Sequence, residues 1–200
     1  GIPTHFIREL SERAQGLLDH DFRCFADTSP IDEVKAACLS GLGCIGENGL
    51  LINPRYGSYV FIGEFVFERD VTDSFFEGVE KKDAPQKCLG CKACIRACPT
   101  GGINNREVCV SCINQKKKIN SEEEEIIKKS GLVWGCDVCQ EVCPMNLKEE
   151  TPIAFFREKR IIRLDGKTLD SLVDSGDFPC RAFAWRGEAV IRRNVKIFEE

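Results

Sequence analysis

The sequence has no long apolar run. No stretch approaches the roughly 18 residues that a membrane helix requires, and the longest, SYVFIGEFVF, carries Glu64 at its centre and reads as a strand. The N-terminal segment shows no apolar core followed by a small-residue cleavage site, so no secretory signal is visible. A strong charge excess is missing as well. With 28 basic and 32 acidic residues the net charge is −4, which supplies no global attraction to nucleic acid. What is left is an ordinary globular composition, 42% apolar and 30% charged, over 200 residues, enough for one domain or two small ones.

Cysteine is what the chain has in excess. Thirteen cysteines occur, most of them in tight groups. A secreted disulfide scaffold is normally short and follows a signal peptide. Cysteines two residues apart are poorly placed to pair with each other and well placed to converge on a metal, so ligation is expected.

The chain before the cysteine groups reads as mixed helix and strand. Phe6, Leu10, Ala14 and Leu17 share one face of a helix starting near Thr4. Ser29, Pro30 and Asp32 announce a second helix, with Ser29 as its cap and Gly41 as its end. The following GLGCIGENG contains G-x-G-x-x-G at Gly41, Gly43 and Gly46. Those glycines leave a helix and lead into a strand, the reverse of a dinucleotide site, so they are expected to let backbone pass close to another group. Leu50–Ile52, a turn at Asn53–Gly57 and Tyr59–Phe67 read as a hairpin. Gly63 inside its second arm signals a bulge or a close approach.

A polar stretch with Pro85 then separates this part from the cysteine region. SEEEEIIKKSG predicts a short exposed helix with a Ser121–Glu124 capping box, Lys128 and Lys129 in its last turn and Gly131 beyond its end. After Glu150 the chain reads as helical packing: one helix opened by Thr151 and Pro152, another through LDSLV, and a last one through EAVIRRNVKIF.

CLGCKACIRACP places Cys88, Cys91, Cys94 and Cys98 in C-x2-C-x2-C-x3-C-P. In this pattern the first three cysteines wrap one 4Fe-4S cube and the fourth serves a second cube. GCDVCQEVCP adds Cys136, Cys139 and Cys143. Swapped ligation then gives one cluster Cys88, Cys91, Cys94 and Cys143, and the other Cys98, Cys136 and Cys139. The second set is one ligand short, and VCVSC offers Cys109 and Cys112; spacing favours Cys109. Two C-x2-C pairs also build zinc ribbons. Zinc does not call for three evenly repeated cysteines ending in C-P, nor for a second C-P, so two 4Fe-4S clusters are the expectation.

The pieces FADTSPIDE, GLGCIGENGLLINPRYGSYVFIGE, CLGCKACIRACPTGGI, WGCDVCQEVCPMN and IRRN together resemble the epoxyqueuosine reductase family, from about residue 22 to 195. The resemblance implies an α+β chain: a small α/β, nitroreductase-like, corrinoid-side part over 1–80, a bacterial-ferredoxin-like two-cluster domain over 81–150 and a helical tail over 151–200. It implies cobalamin beside the two 4Fe-4S clusters and reduction of epoxyqueuosine to queuosine in tRNA. Cys109 falls at the family's between-motif ligand. Asp27 matches the aspartate expected to deliver a proton, and His5 matches a histidine near the corrinoid pocket. Gly43, Gly46 and Gly63 are the accompanying cofactor-side candidates. Cys44, Glu47 and Val34 depart from the family's usual tryptophan, lysine and arginine near that side.

The same resemblance implies a cytoplasmic protein with a flavodoxin or ferredoxin as electron donor and tRNA as partner. Arg181, Arg186, Arg192, Arg193 and Lys196, with Lys116–Lys118, are the candidates for phosphate contacts. Two further readings share the cysteine motifs: a non-catalytic two-cluster electron carrier, and a relative of the corrinoid reductive dehalogenases. Oligomeric state is not encoded in any motif.

Overall fold

A computed structural model describes residues 2–15, 22–26, 29–67, 87–103, 105–146 and 161–199. The chain divides into two compact units, Ile2–Cys91 and, apart from Gly1, Lys92–Glu200. No helix among the described residues is long and apolar enough to cross a membrane.

In the first unit, helix α1 (Ile2–Gln15) carries two ion pairs at one-turn spacing, Arg8–Glu12 at 3.1 Å and Arg13–Glu9 at 2.5 Å. Both are exposed, so they add little beyond solubility. Strand β1 (Phe22–Phe25) pairs antiparallel with β4 (Glu64–Phe67), Phe22 opposite Phe67 and Phe25 opposite Glu64. Phe22 meets Phe65 edge-on at 5.3 Å and Phe67 at 5.9 Å, the kind of aromatic cross-strand contact that fixes a register. Helix α2 (Glu33–Leu39) is capped by Asp32, whose carboxylate accepts the Lys35 N–H at 3.0 Å. The expected cap, Ser29, is three residues too early. Its hydroxyl donates to Glu64 instead.

Strands β2 (Cys44–Ile45) and β3 (Leu51–Ile52) pair with each other, closed by Gly46 N–H to Leu50 O at 2.9 Å. The expected hairpin from Leu50 to Phe67 is therefore not formed. Its turn exists, since Asn53 and Gly57 exchange backbone hydrogen bonds at 2.9 and 2.8 Å, and the Asn53 side chain accepts the N–H groups of Arg55 and Tyr56. Pairing stops after that single bridge. β3 already has β2 as its neighbour, and Phe65 and Phe67 find Phe22 on β1. Gly63 lies just before β4, so it marks no bulge within a strand.

The second unit is helical among its described residues: α3 (Ala93–Ala97), α4 (Val110–Ile113), α5 (Ser121–Ser130), α6 (Val138–Glu141), α7 (Gly166–Asp174) and α8 (Glu188–Lys196). The expected helix opened by Thr151 and Pro152 lies outside the described residues. One apolar core joins Leu169 and Leu172 of α7 to Ile191 and Val195 of α8, with Phe183 and Trp134 packed in. A second joins Ile113, Ile127 and Ile197. Helix α8 and the turn after it thus feed both cores. Arg192 ties α8 to α7 through Asp170 at 2.8 Å while also bonding Glu188.

Helix α5 starts one residue earlier than its serine suggests. Asn120 is the cap, and its side chain and that of Glu123 bond reciprocally to each other's backbone N–H at 2.9 and 3.0 Å. At the other end Gly131 takes a left-handed φ of 70°, as expected of a helix-ending glycine. Asn120→Ala removes an acceptor that satisfies a helix N–H, and about 1 kcal/mol of stability should go with it. The urea midpoint of the variant reads this directly, and an unmoved midpoint rules out the capping box as a contributor.

Candidate metal centre

The division between the two units falls between Cys91 and Lys92, inside the first cysteine motif. In the first unit Gly90, with φ of 61°, donates its N–H to Cys88 Sγ at 3.4 Å. Cys91 is exposed. In the second unit Lys92 heads α3 with φ of 57°, alone among described non-glycine residues in being left-handed. That conformation costs a side-chain-bearing residue roughly 1–2 kcal/mol. Such strain concentrates where a loop must follow a shape imposed by function.

Helix α3 buries Cys94 and ends at Cys98, whose N–H bonds Cys94 O at 3.2 Å before the chain turns extended into Pro99. Proline there has no N–H to continue the helix. The turn after Pro99 packs on Cys109 so tightly that a Cβ on Gly102 would lie 2.5 Å from the Cys109 Cα. Cys109 in turn caps α4, accepting the Ile113 N–H at 2.9 Å.

Cys136 sits on a loop held from below. The Asn114 amide donates to Gly135 O at 2.9 Å, and its oxygen accepts the Gly135 N–H at 3.3 Å. Gly135 takes φ of 67°, which a glycine adopts without steric cost. Helix α6, bearing Cys139, lies beside α3. Cys143 follows α6, its N–H bonded to Gln140 O at 3.1 Å.

The electrostatics show which thiols converge. Burial pushes the Cys136 thiol up; a hydrogen bond from the Val138 N–H opposes this, and the neighbouring charges of Cys109, Asp137 and Cys98 add to the rise. Two segments distant in sequence therefore bring Cys98 and Cys109 into the field of Cys136. Burial pushes Cys98 up too. There the N–H groups of Thr100, Ile103 and Gly102 and the Thr100 hydroxyl outweigh it, leaving that thiol below its ordinary value. Thiolates gathered this way repel one another until a cation compensates them. The charged form of Cys98 is stabilised in advance, and a metal core would offset both the burial and the repulsion that raise Cys136.

The donor set is sulfur, which selects iron-sulfur clusters, zinc or copper(I) over hard cations. Among the described residues no three of His, Cys, Asp and Glu come together tightly enough to grip a single ion. A cube does not require that, because each of its thiolates takes a different iron. None of the thirteen cysteines, all among the described residues, is in a disulfide.

Asp27 lies outside the described residues, as does the side chain of His5 on α1. Gly43 needs to be bare because a Cβ would lie 2.3 Å from the backbone oxygen of Ile52, and at Gly46 the Asn48 side chain and Ile52 occupy the same role. Backbone does pass close at both glycines, and the neighbour is the chain's own β3 region. Of the basic residues, Arg192 links α7 and α8, Lys116 bonds Glu123 at 2.5 Å, and Arg193 donates to the carbonyls of Lys116 and Lys117 and to Asn194. These three are engaged in internal contacts. Gly102, Asn114 and Asn194 were not singled out from sequence. The available signal was an amide inside apolar periodicity, in VSCINQ and RRNVKIF.

Residues 87–146 match the family described as 4Fe-4S double cluster binding domain. The epoxyqueuosine reductase of Lactococcus garvieae is 32% identical over 94% of this chain and 55% of its own length. That of Listeria monocytogenes is 33% identical over 90% of this chain and 48% of its own length. The solved epoxyqueuosine reductase of Streptococcus thermophilus superposes with a TM-score of 0.72 at 25% identity, over 98% of this chain and 53% of that one. A second solved epoxyqueuosine reductase, in complex with an epoxyqueuosine-modified tRNA-Tyr stem loop, gives a TM-score of 0.68 at 23% identity over 98% of this chain and 53% of that one, a likeness of fold alone. The chain spans about half the length of the curated relatives it matches, and by sequence and fold it belongs with the epoxyqueuosine reductase family.

Proposed function

We propose that this chain holds two 4Fe-4S clusters and is the electron-conducting part of an oxidoreductase of the epoxyqueuosine reductase type. The observation that carries this is the convergence of Cys98, Cys109 and Cys136 from three separate segments into one electrostatic neighbourhood. With Cys139 on α6 they make one ligand set. Cys88, Cys91, Cys94 and Cys143 make the other, as the C-x2-C-x2-C-x3-C-P pattern implies. Bound there, the clusters supply one-electron transfer, and a cobalamin at the first unit supplies the reduction at the epoxide of the tRNA base.

The chain's own residues hold and tune. The N–H groups aimed at Cys98 stabilise negative charge on its sulfur, which favours the reduced, more negative state of a cluster bound there. Asp27 is proposed as the proton donor to the substrate, with His5 on the corrinoid side. A nitroreductase-like layout of the first unit, a cytoplasmic location, and a flavodoxin or ferredoxin donor rest on the family resemblance. So does tRNA, for which a relative's complex with a modified stem loop is the support. Arg181, Lys196, and Arg186 stacked 4.0 Å over the exposed Trp185 are the basic side chains proposed for it.

Reconstitution under anaerobic conditions tests the reading. About eight irons and eight sulfides per chain are expected, and zinc in their place overturns it. Cobalamin added to that protein should show a bound visible spectrum, followed by turnover on epoxyqueuosine-containing tRNA. A second reading, a carrier without corrinoid, is favoured by the way Ile52 accounts for Gly43 and Gly46. Two clusters with no cobalamin uptake select it.

A further inference from the structure

Helix α8 reaches the loop that carries Cys136 through a chain of side-chain amides. Asn194 and Asn114 are both 0% exposed. Asn194 donates to Asn114 O at 2.7 Å and to Val133 O at 2.9 Å. Asn114 then clamps Gly135 on both its N–H and its carbonyl. The next residue is Cys136. Asn194 is itself oriented by Arg193, whose Nε and Nη2 donate to its oxygen at 3.1 and 2.8 Å. With that oxygen occupied by a guanidinium, the amide nitrogen can only face the two carbonyls. The orientation is set by chemistry, with every polar atom in the path partnered.

We propose that Asn194 and Asn114 are positioning residues for Cys136: a buried amide relay, locked by Arg193, that fixes the Val133–Gly135 loop and so the geometry of the cluster Cys136 ligates. The inference rests on the cluster reading. It extends it by assigning the tail segment IRRN, whose arginines were candidates for RNA phosphates, to the tuning of one cluster. Apolar packing alone does not require it, because the core formed by Leu169, Leu172, Phe183, Ile191 and Val195 is already complete beside it. An amide pair buried within a helical unit specifies one loop conformation where leucines would accept several.

The test uses the full chain, anaerobically reconstituted, as Asn194→Ala, Asn114→Ala and Arg193→Lys, beside Ile191→Val as an apolar control on the same helix. The readouts are iron content, the electron paramagnetic resonance of each reduced cluster, and their two midpoint potentials by voltammetry. Asn194→Ala and Asn114→Ala should alter the signal and potential of one cluster, or lose about half of the iron, while the other cluster keeps its wild-type signature. Arg193→Lys keeps Asn194 and releases its orientation, so a smaller change in the same cluster is expected. If Asn194→Ala does not fold, the Arg193→Lys result decides. Unchanged potentials in the variants that fold overturn the relay, as does an equal change in Ile191→Val. A wild-type protein that assembles no clusters overturns the cluster reading itself, a distinct result.

Discussion

Cys136→Ser is expected to halve the iron of the reconstituted protein, from about eight to about four per chain, and to leave one cluster's paramagnetic signal in place. The sulfur of Cys136 shares its field with those of Cys98 and Cys109, contributed by other segments. Removing it takes one corner from that set and none from Cys88, Cys91, Cys94 and Cys143. Cys109→Ser should do the same. Cys112→Ser should keep all of the iron, because Cys112 lies within α4 while Cys109 heads it beside the Gly102 turn. Iron retained in Cys109→Ser and lost in Cys112→Ser would reverse the ligand assignment; loss of both clusters in every variant would defeat the division into two sets.

Gly102→Ala is the second large effect. The new methyl group would sit 2.5 Å from the Cα of Cys109 and 2.8 Å from its N, and neither atom belongs to a flexible side chain. Either the turn that donates N–H groups to Cys98 or the segment bearing Cys109 has to move. Overpacking of this kind costs about 1–3 kcal/mol, and here the displaced atoms carry two proposed ligands of one cluster. Loss of about half of the iron together with a lowered melting temperature is expected. Gly101 is the control: its φ of 68° is left-handed, and a Cβ there meets nothing within 4 Å. Gly101→Ala should cost about 1–2 kcal/mol through backbone strain and spare the iron. Equal iron loss in both would mean that strain, and not the approach to Cys109, governs the site.

These two sites divide what the sequence makes legible from what it does not. The cysteine spacing is local, and the segments it marks fall within residues 87–146, which match a double-cluster domain. Helices α7 and α8 were legible from apolar periodicity, and α5 was displaced by a single residue because Asn120, not Ser121, has the extended conformation and the reciprocal partner Glu123. Contacts between distant segments were not legible. Nothing in SYVFIGEFVF tells that Phe65 and Phe67 belong with Phe22 rather than with Leu51. Gly43 signals a close approach but not that Ile52 is what approaches. Arg192 and Arg193 look like a basic pair from their neighbours alone, and their partners Asp170 and Asn194 become visible only when α7 and α8 are set side by side.

The hydrogen bond from the Asn194 side-chain amide spans 80 residues of chain to reach the Asn114 carbonyl. Every one of the thirteen cysteines precedes Asn194 in order of synthesis. At roughly 5–20 residues per second, the thiols emerge seconds before the side chain that steadies their loop. With the proposed relay, the loop that carries Cys136 is fixed only once Asn194 has been made, and during that interval its sulfur depends on a reducing surrounding rather than on its own fold for protection from oxidants.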